Sequence, residues 1–267
     1  MSGAVLLDVS DGVATLTFNR PSALNTMDVA AMQAFRAAVD GIAADASIEV
    51  VIIAGAGDHF MAGGDIREFN GIVTAHPPLD RLRQFQSMIE TWINPAIVQL
   101  QNLHQPVIAK VRGACAGIGL SFMAGCDLVV AAGDAQFSTA YASIGLSPDG
   151  GASWFLPRIV GTRRALELLL LAERFDAATA QSLGLVSRVV PPAELDVAVA
   201  DLVARLKAGP RHAYGEIKRL VHASGANSLD MQLAQEAAAF GRCSATNDFG
   251  EGIAGFIEKR KPQFRGR

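Results

Sequence analysis

The chain has 267 residues, 50% of them hydrophobic and 18% charged, a balance that fits one large folded unit or two small ones and gives no sign of disorder. A net charge of −3 leaves no global basic footprint, so nucleic acid is not an expected partner, although the tail from Lys259 to Arg267 is locally basic. Three cysteines without metal or C-x-x-C spacing, five histidines without clustered ligand patterns, no apolar run of membrane-spanning length, and a start, Met1-Ser2-Gly3-Ala4, without secretory character point to a metal-free protein of the reducing cytoplasm, away from membranes.

Val5 to Val9 and Val13 to Phe18 read as two strands joined at Asp11-Gly12, a two-residue hairpin signal, with Pro21 stopping the second. Met27, Ala31, Met32, Phe35, Ala38, Val39 and Ile42 recur at helical spacing and predict a core-facing helix over 27–44. Val50 to Gly55 is a buried strand that runs into the loop Ala56 to Asp65, and ligands gather beyond such strand ends in open α/β layouts. Gly71 to Pro78 is the least regular stretch, read as a loop able to act as a lid. Asp80 to Leu103 is read as a long helix interrupted near Asn94-Pro95, where proline removes a helix hydrogen bond. The strand-then-loop theme returns in Pro106 to Val111 followed by Gly113 to Gly119, with a helix over Leu120 to Cys126, and more weakly in Leu128 to Ala132. Beyond Gly161, helices are predicted over 163–171, 176–183 with Gly184 as cap, 193–207, 213–223, 229–242 and 247–260, and a short strand over 186–190. Periodicity alone gives an α/β protein.

Two stretches carry chemistry. Gly117-Ile118-Gly119 lets the backbone approach a ligand closely, and the first N–H groups of the helix behind it suit an oxyanion. Asp149 sits in the turn-forming run Ile144 to Gly151 among small and apolar neighbours, where desolvation would raise its pKa and make it a proton carrier near neutral pH. An Asx turn or a helix N-cap is the plainer role for such an aspartate, and spacing alone favours it.

The run Gln105 to Arg158 resembles the signature of the enoyl-CoA hydratase/isomerase (crotonase) family, and His59-Phe60-Met61-Ala62-Gly63-Gly64-Asp65-Ile66 resembles that family's other half-site. The likeness runs from Thr17-Phe18-Asn19-Arg20-Pro21 and Ala23-Leu24-Asn25 to Phe256-Ile257-Glu258-Lys259-Arg260. It implies an α/β fold of the crotonase (ClpP-like) type, with residues 1–200 as a ββα superhelix holding the acyl-CoA site and residues 201–267 as a helical trimerisation region. It also implies a trimer or dimer of trimers, and a coenzyme A thioester as substrate with no further cofactor.

By the same resemblance, the backbone N–H groups of Gly64 and Ile118 polarise the thioester carbonyl. Ala23, Leu24, Ala62, Asp65, Ile66, Gly117 and Tyr141 border the CoA and acyl site, and Phe256 and Lys259 reach it across a subunit boundary. Hydratases of the family activate water with two glutamates, one in the helix after the glycines and one farther along; this chain carries Ser121 and Tyr141 there. A hydroxyl at its ordinary pKa is no substitute base. Asp149, followed by Trp154-Phe155-Leu156-Pro157-Arg158 and preceded by Asn94-Pro95, resembles instead the branch with enoyl-CoA and epoxyphenylacetyl-CoA isomerases, in which one acid shuttles the proton. Family dehalogenases need a histidine where this chain has Asn94. The expected activity is therefore double-bond isomerisation by Asp149, with Asp65 ordering its own loop and Asp127 past the helix end. The alternatives are a hydratase with non-standard groups and a non-catalytic acyl-CoA-binding or RNA-binding scaffold. Phe60, Trp92, Tyr141 and Phe155 are candidate walls of an aromatic-tolerant acyl pocket, with ordinary core packing as the competing role.

Overall fold

The computed structural model describes residues 3–266; Met1, Ser2 and Arg267 lie outside it. Strands β1 (Val5–Ser10) and β2 (Val13–Phe18) form the expected hairpin, with Ser10 opposite Val13. Asp11 and Gly12 both have positive φ, 47° and 71°, the turn geometry whose twist matches the flanking strands. A short 3-10 turn, Pro21–Ala23, follows. Helix α1 (Val29–Ala44) begins where Asp28 accepts a hydrogen bond from the Ala31 N–H, and it buries Ala31, Met32, Phe35, Ala38, Val39 and Ile42, the apolar stripe read from spacing.

After β3 (Val50–Gly55) the chain departs from the expected lid loop. Helix α2 (Ile66–Ala75) runs through Gly71, only His76 and Pro77 separate it from α3 (Pro78–Met88), and Pro78 opens the second helix. The Asp65 carboxylate accepts from the Arg67 and Glu68 N–H groups and so supplies the cap that offsets an interior glycine. A π-helical turn, Ile89–Ile93, joins α3 to α4 (Asn94–Asn102), so the interruption at Asn94-Pro95 is a widening of one continuous rod.

Two turns of the spiral come next: β4 (Val107–Val111), β5 (Ala114–Ala116) and α5 (Ile118–Ala124), then β6 (Leu128–Ala132) and β7 (Gln136–Ser138). Helix α5 starts two residues earlier than predicted, directly on Gly117. Helix α6 (Ala152–Val160), unforeseen because Gly150-Gly151 and Pro157 argue against helix, is followed by α7 (Thr162–Leu171), β8 (Phe175–Asp176), α8 (Ala177–Ser182) and β9 (Arg188–Val190). The chain then runs through α9 (Leu195–Lys207), α10 (Arg211–Ser224), α11 (Leu229–Ser244) and α12 (Asn247–Ile257).

The strands divide between a six-stranded sheet, order β1-β2-β3-β4-β6-β9 and parallel from β2 onward, and a small sheet, order β5-β7-β8. Each spiral turn therefore places one strand in each sheet, β4 then β5 and β6 then β7. Met61 bridges Cys115, which pairs with Phe137, so the loop after β3 adds its own rung to the small sheet. Between the layers Phe18, Phe35 and Phe122 stack at 4.6–5.8 Å, with Phe60 edge-on to Phe18. A second core packs Val50, Ile108 and Val130 beneath Leu195, Val199 and Val203 of α9. Helix α10 is fastened to the spiral by Lys218, whose Nζ lies 2.6 Å from the Asp127 carboxylate and also donates to the Gln105 carbonyl. Asp127 stands just beyond α5, as expected.

Candidate active site

Two backbone loops meet at the centre of the site. The Met61 rung holds one of them: Ala116 N–H donates to the Met61 carbonyl at 2.8 Å, and the Ala114 N–H donates to the His59 Nδ1. On the other side, Met27 N–H donates to Gly63 O and Asp65 N–H to Met27 O, both at 2.9 Å, so the Gly63-Gly64 peptide is held between α1's approach and the small sheet. Buried Asn25 ties the same region together by donating to the Ala56 and His59 carbonyls and accepting from the Arg20 N–H. The Arg20 guanidinium completes the scaffold with Asp65 at 2.8 Å and Asp28 at 3.0 Å. Partial burial acts to raise the Asp65 pKa, but Arg20 and the Glu68 and Arg67 N–H groups outweigh it and hold the carboxyl below its ordinary range.

Gly117 precedes α5 with φ 54° and ψ −128°, a conformation open to glycine, and its bare Cα faces that of Gly63 closely enough that an added Cβ would come within 3.3 Å. This contact sets Gly64 beside Ile118. Among the described residues neither the Gly64 nor the Ile118 N–H donates to a protein acceptor, and both residues line one cavity of about 350 Å³. Two free N–H groups, one at a helix N-terminus, are donors of the kind that suits a developing oxyanion.

Asp149 lies in the wall of the same cavity and is the one carboxylate among its described lining residues. Its side chain does not cap α6, which begins on Gly151 without a side-chain cap, so the turn-or-cap role is not the one its carboxylate takes. Oδ1 accepts from the Tyr141 hydroxyl at 2.8 Å, and that hydroxyl lies 2.7 Å from Ser121 Oγ. Burial pushes the Asp149 pKa above the ordinary carboxylate range, with the Tyr141 bond pulling the other way. Tyr141 is also pushed up, by burial first and then by the Asp149 charge, and stays a neutral donor.

The remaining wall is mostly apolar, with Ser143 and Ser147 as its polar side chains. Met27, Met32, Phe69, Phe85, Met88, Ile89, Ile144 and Leu146 line it, and Phe69 and Phe85 meet edge-to-face at 5.0 Å. Of the four aromatic candidates only Tyr141 reaches the cavity. Phe60 is wholly buried against Phe18, Trp92 packs on the main core, and Phe155 is wedged against Gly125 and Gly151 on the far side of α5. Phe69 and Phe85 were missed for different reasons: Phe69 lies on α2, to which the sequence reading gave no helix, and Phe85 lies in the predicted 80–103 helix, whose cavity-facing side no local pattern marks; Asp65 followed by Glu68 is the helix-start pattern that could have revealed α2. Ala62 and Ile66 line the cavity, while Ala23 ends the 3-10 turn and Leu24, whose carbonyl accepts from the Ala62 N–H, directly follows it. Phe256 and Lys259, at the end of α12, are outside the cavity wall of the single chain, and Phe256 is 84% exposed.

A profile of the enoyl-CoA hydratase/isomerase family matches residues 8–267. The chain belongs to the enoyl-CoA hydratase/isomerase family. It is 34% identical to 1,2-epoxyphenylacetyl-CoA isomerase of Escherichia coli K12 over 263 residues, 98% of each protein. It is 31% identical to crotonyl-CoA hydratase of Syntrophomonas wolfei over 261 residues, 97% of each. The crystal structure of an enoyl-CoA hydratase from Polaromonas sp. JS666 superposes with a TM-score of 0.89 at 34% identity, covering 98% of this chain and 99% of that one. This enoyl-CoA hydratase/isomerase family member thus has the crotonase fold, and its relatives carry both isomerase and hydratase names.

Proposed function

We propose that the protein is an enoyl-CoA isomerase in which Asp149 moves the proton. The Asp149 carboxylate takes a proton from the α-carbon of a 3-enoyl thioester, the electron pair passes onto the thioester oxygen, and the Gly64 and Ile118 N–H groups stabilise the enolate. Asp149 then returns the proton to the γ-carbon, leaving the conjugated 2-enoyl thioester. No atom is gained or lost. A raised carboxyl pKa favours this work, since a base near the working pH both accepts and returns a proton readily. The observation that carries the reading is one cavity that presents a single carboxylate together with two unengaged backbone donors. The apolar wall suits an uncharged acyl chain or ring.

Hydration is the second reading, favoured by relatives named as hydratases. Ser121 and Tyr141 weigh against it, because their hydroxyls are bonded to each other and supply no second base. With 3-enoyl-CoA in deuterium oxide, the isomerase reading expects conjugated thioester and deuterium uptake without gain of water. A protein inert toward 3-enoyl-CoA that converts 2-enoyl-CoA to the 3-hydroxyacyl thioester would overturn it.

For the CoA moiety, Ala23, Leu24, Ala62, Asp65 and Ile66 are the proposed rim, with Phe256 and Lys259 supplied by a neighbouring subunit of a trimer or dimer of trimers. Leu229, Phe240, Phe256 and Ile257 are each more than two-thirds exposed in the single chain, an apolar surface that such an assembly would bury. Sedimentation at micromolar concentration would contradict this if it gave monomer alone. The three cysteines are unpaired thiols and suit the reducing cytoplasm. No helix among the described residues is long and apolar enough to cross a membrane.

A further inference from the structure

Two buried hydroxyls stand behind the proton carrier. Ser121 is 0% exposed and Tyr141 7%, and each has a single proton to donate. The carboxylate is the strongest acceptor within reach, so the Tyr141 proton goes to Asp149 Oδ1 at 2.8 Å. The Tyr141 oxygen then accepts from Ser121 Oγ at 2.7 Å, because the other acceptor open to Ser121, the Gly117 carbonyl, is 3.4 Å away. The chain of bonds runs one way, from Ser121 through Tyr141 to Asp149. Packing holds its ends in place: a Cβ added at Gly150 would come within 3.0 Å of the Ser121 Cβ and 2.9 Å of Ile118 Cγ1, so the loop carrying Asp149 rests directly on α5.

Asp149 Oδ2 receives no hydrogen bond from another of the described residues, and Asp149 lines the cavity, which leaves Oδ2 as the carboxylate oxygen not held by a neighbouring side chain. We propose that Tyr141, backed by Ser121, is a positioning residue that ties down Oδ1 of Asp149, so that Oδ2 alone takes the substrate proton from one carbon and returns it to another. This rests on the isomerase reading above. An untethered carboxyl rotates broadly about its terminal bond and presents either oxygen. A tethered one keeps a single oxygen over the allylic system, and the fixed Oδ1 acceptor leaves Oδ2 as the place for the transferred proton. The serine and tyrosine are thus the support of a one-acid mechanism, in positions where a two-acid mechanism would put its acids.

Among the described residues no lysine, arginine, histidine or second carboxylate faces Asp149 from the cavity walls formed by α1, α2, α3, α5 and the 140–149 loop, which leaves Tyr141 as the other titratable group beside it. The acidic limb of the rate profile therefore reports this pair. The test measures deuterium exchange and isomerisation of 3-enoyl-CoA against pH for the intact wild-type protein, Tyr141→Phe, Ser121→Ala and, as reference, Asp149→Asn. Loss of the phenol removes a donor that favours the ionised carboxylate, so Tyr141→Phe should move the acidic limb of kcat upward by on the order of one pH unit. It should also lower kcat about ten- to a hundredfold with KM within about threefold, as misplacement of a reacting group does. Ser121→Ala should move the limb the same way by less. An unchanged limb and kcat in Tyr141→Phe, beside an inactive Asp149→Asn, would overturn the positioning role and leave Asp149 as the base. An active Asp149→Asn would instead sink the underlying reading. Should Tyr141→Phe melt below the assay temperature, Ser121→Ala decides, since full rate with an unmoved limb there overturns the proposal.

Discussion

Gly117→Ala puts the proposed oxyanion geometry under direct strain. The native φ of 54° with ψ −128° lies outside the regions open to a residue with a Cβ, and holding alanine there costs about 1–3 kcal/mol. The new methyl would also stand 3.3 Å from the Gly63 Cα, tighter than ordinary contact. Gly63 cannot easily retreat, because its carbonyl accepts from Met27 and the Asp65 N–H beyond it is bonded back to Met27. The strain is relieved by parting the two loops by a few tenths of an ångström, and the Gly64 and Ile118 N–H groups part with them. Complete loss of one oxyanion donor costs about 10²–10³ in kcat, so a partial displacement should cost roughly 10–100-fold. The assay is conversion of 3-enoyl-CoA followed at the absorbance of the conjugated thioester, with denaturant unfolding alongside. Gly71→Ala is the control, since a Cβ there meets nothing within 4 Å inside α2; it should gain about 0.5–1 kcal/mol of stability and keep its rate. A Gly117→Ala protein that loses the expected stability yet keeps kcat within about twofold of wild type would refute the pairing of these loops as the oxyanion site.

Phe69→Ala removes half of the edge-to-face pair in the acyl wall and should raise KM for apolar acyl-CoA about tenfold, or about 1.4 kcal/mol, with kcat little changed; a fall in kcat at constant KM would contradict the assignment. Lys218→Met removes the nearer of the two basic side chains beside Asp127, His222 Nε2 lying 3.7 Å away, at a contact where the lysine and carboxylate are mostly buried, and should cost up to about 3–5 kcal/mol in urea unfolding; a change under about 1 kcal/mol would show that α10 is held mainly by its apolar contacts. Asp149→Asn should stabilise the fold in a pH-dependent way. Below the ordinary aspartate pKa of about 3.9 the wild-type side chain is protonated in both folded and unfolded chains, so the difference vanishes. As pH rises through the higher folded-state value, the wild type must hold a charge in a desolvated place and falls behind the variant, and a stability gap that failed to widen with pH would count against the burial argument.

Much of this architecture was readable because its signals are local. The Asp11-Gly12 turn, the Asp28 cap with its stripe from Ala31 to Ile42, and the strands Val50–Gly55 and Val107–Val111 each follow from a few neighbouring side chains. Elements that depended on distant partners were less legible. Helix α6 forms despite Gly150, Gly151 and Pro157 because Ala152, Phe155 and Leu156 are buried in the core, and α2 tolerates Gly71 because Asp65 caps its start. The same limit governs the site. Asp149 was a candidate from its setting and from family resemblance, but the Ser121–Tyr141–Asp149 chain joins residues 28 positions apart and exists only once α5 and the 140–149 loop are packed together. The cavity wall shows the converse error: Phe60 and Phe155 were sensible aromatic candidates by composition, yet core packing claimed both.

The most direct test of the account is solvent deuterium exchange into an enoyl-CoA by Asp149→Asn. The asparagine keeps the shape of the side chain and can still accept from Tyr141, but it cannot take a proton. Loss of a general acid–base typically costs 10²–10⁴-fold, so exchange and isomerisation should fall in that range while acyl-CoA still binds. Near-wild-type exchange by a protein lacking the Asp149 carboxylate would contradict the mechanism and require a base elsewhere.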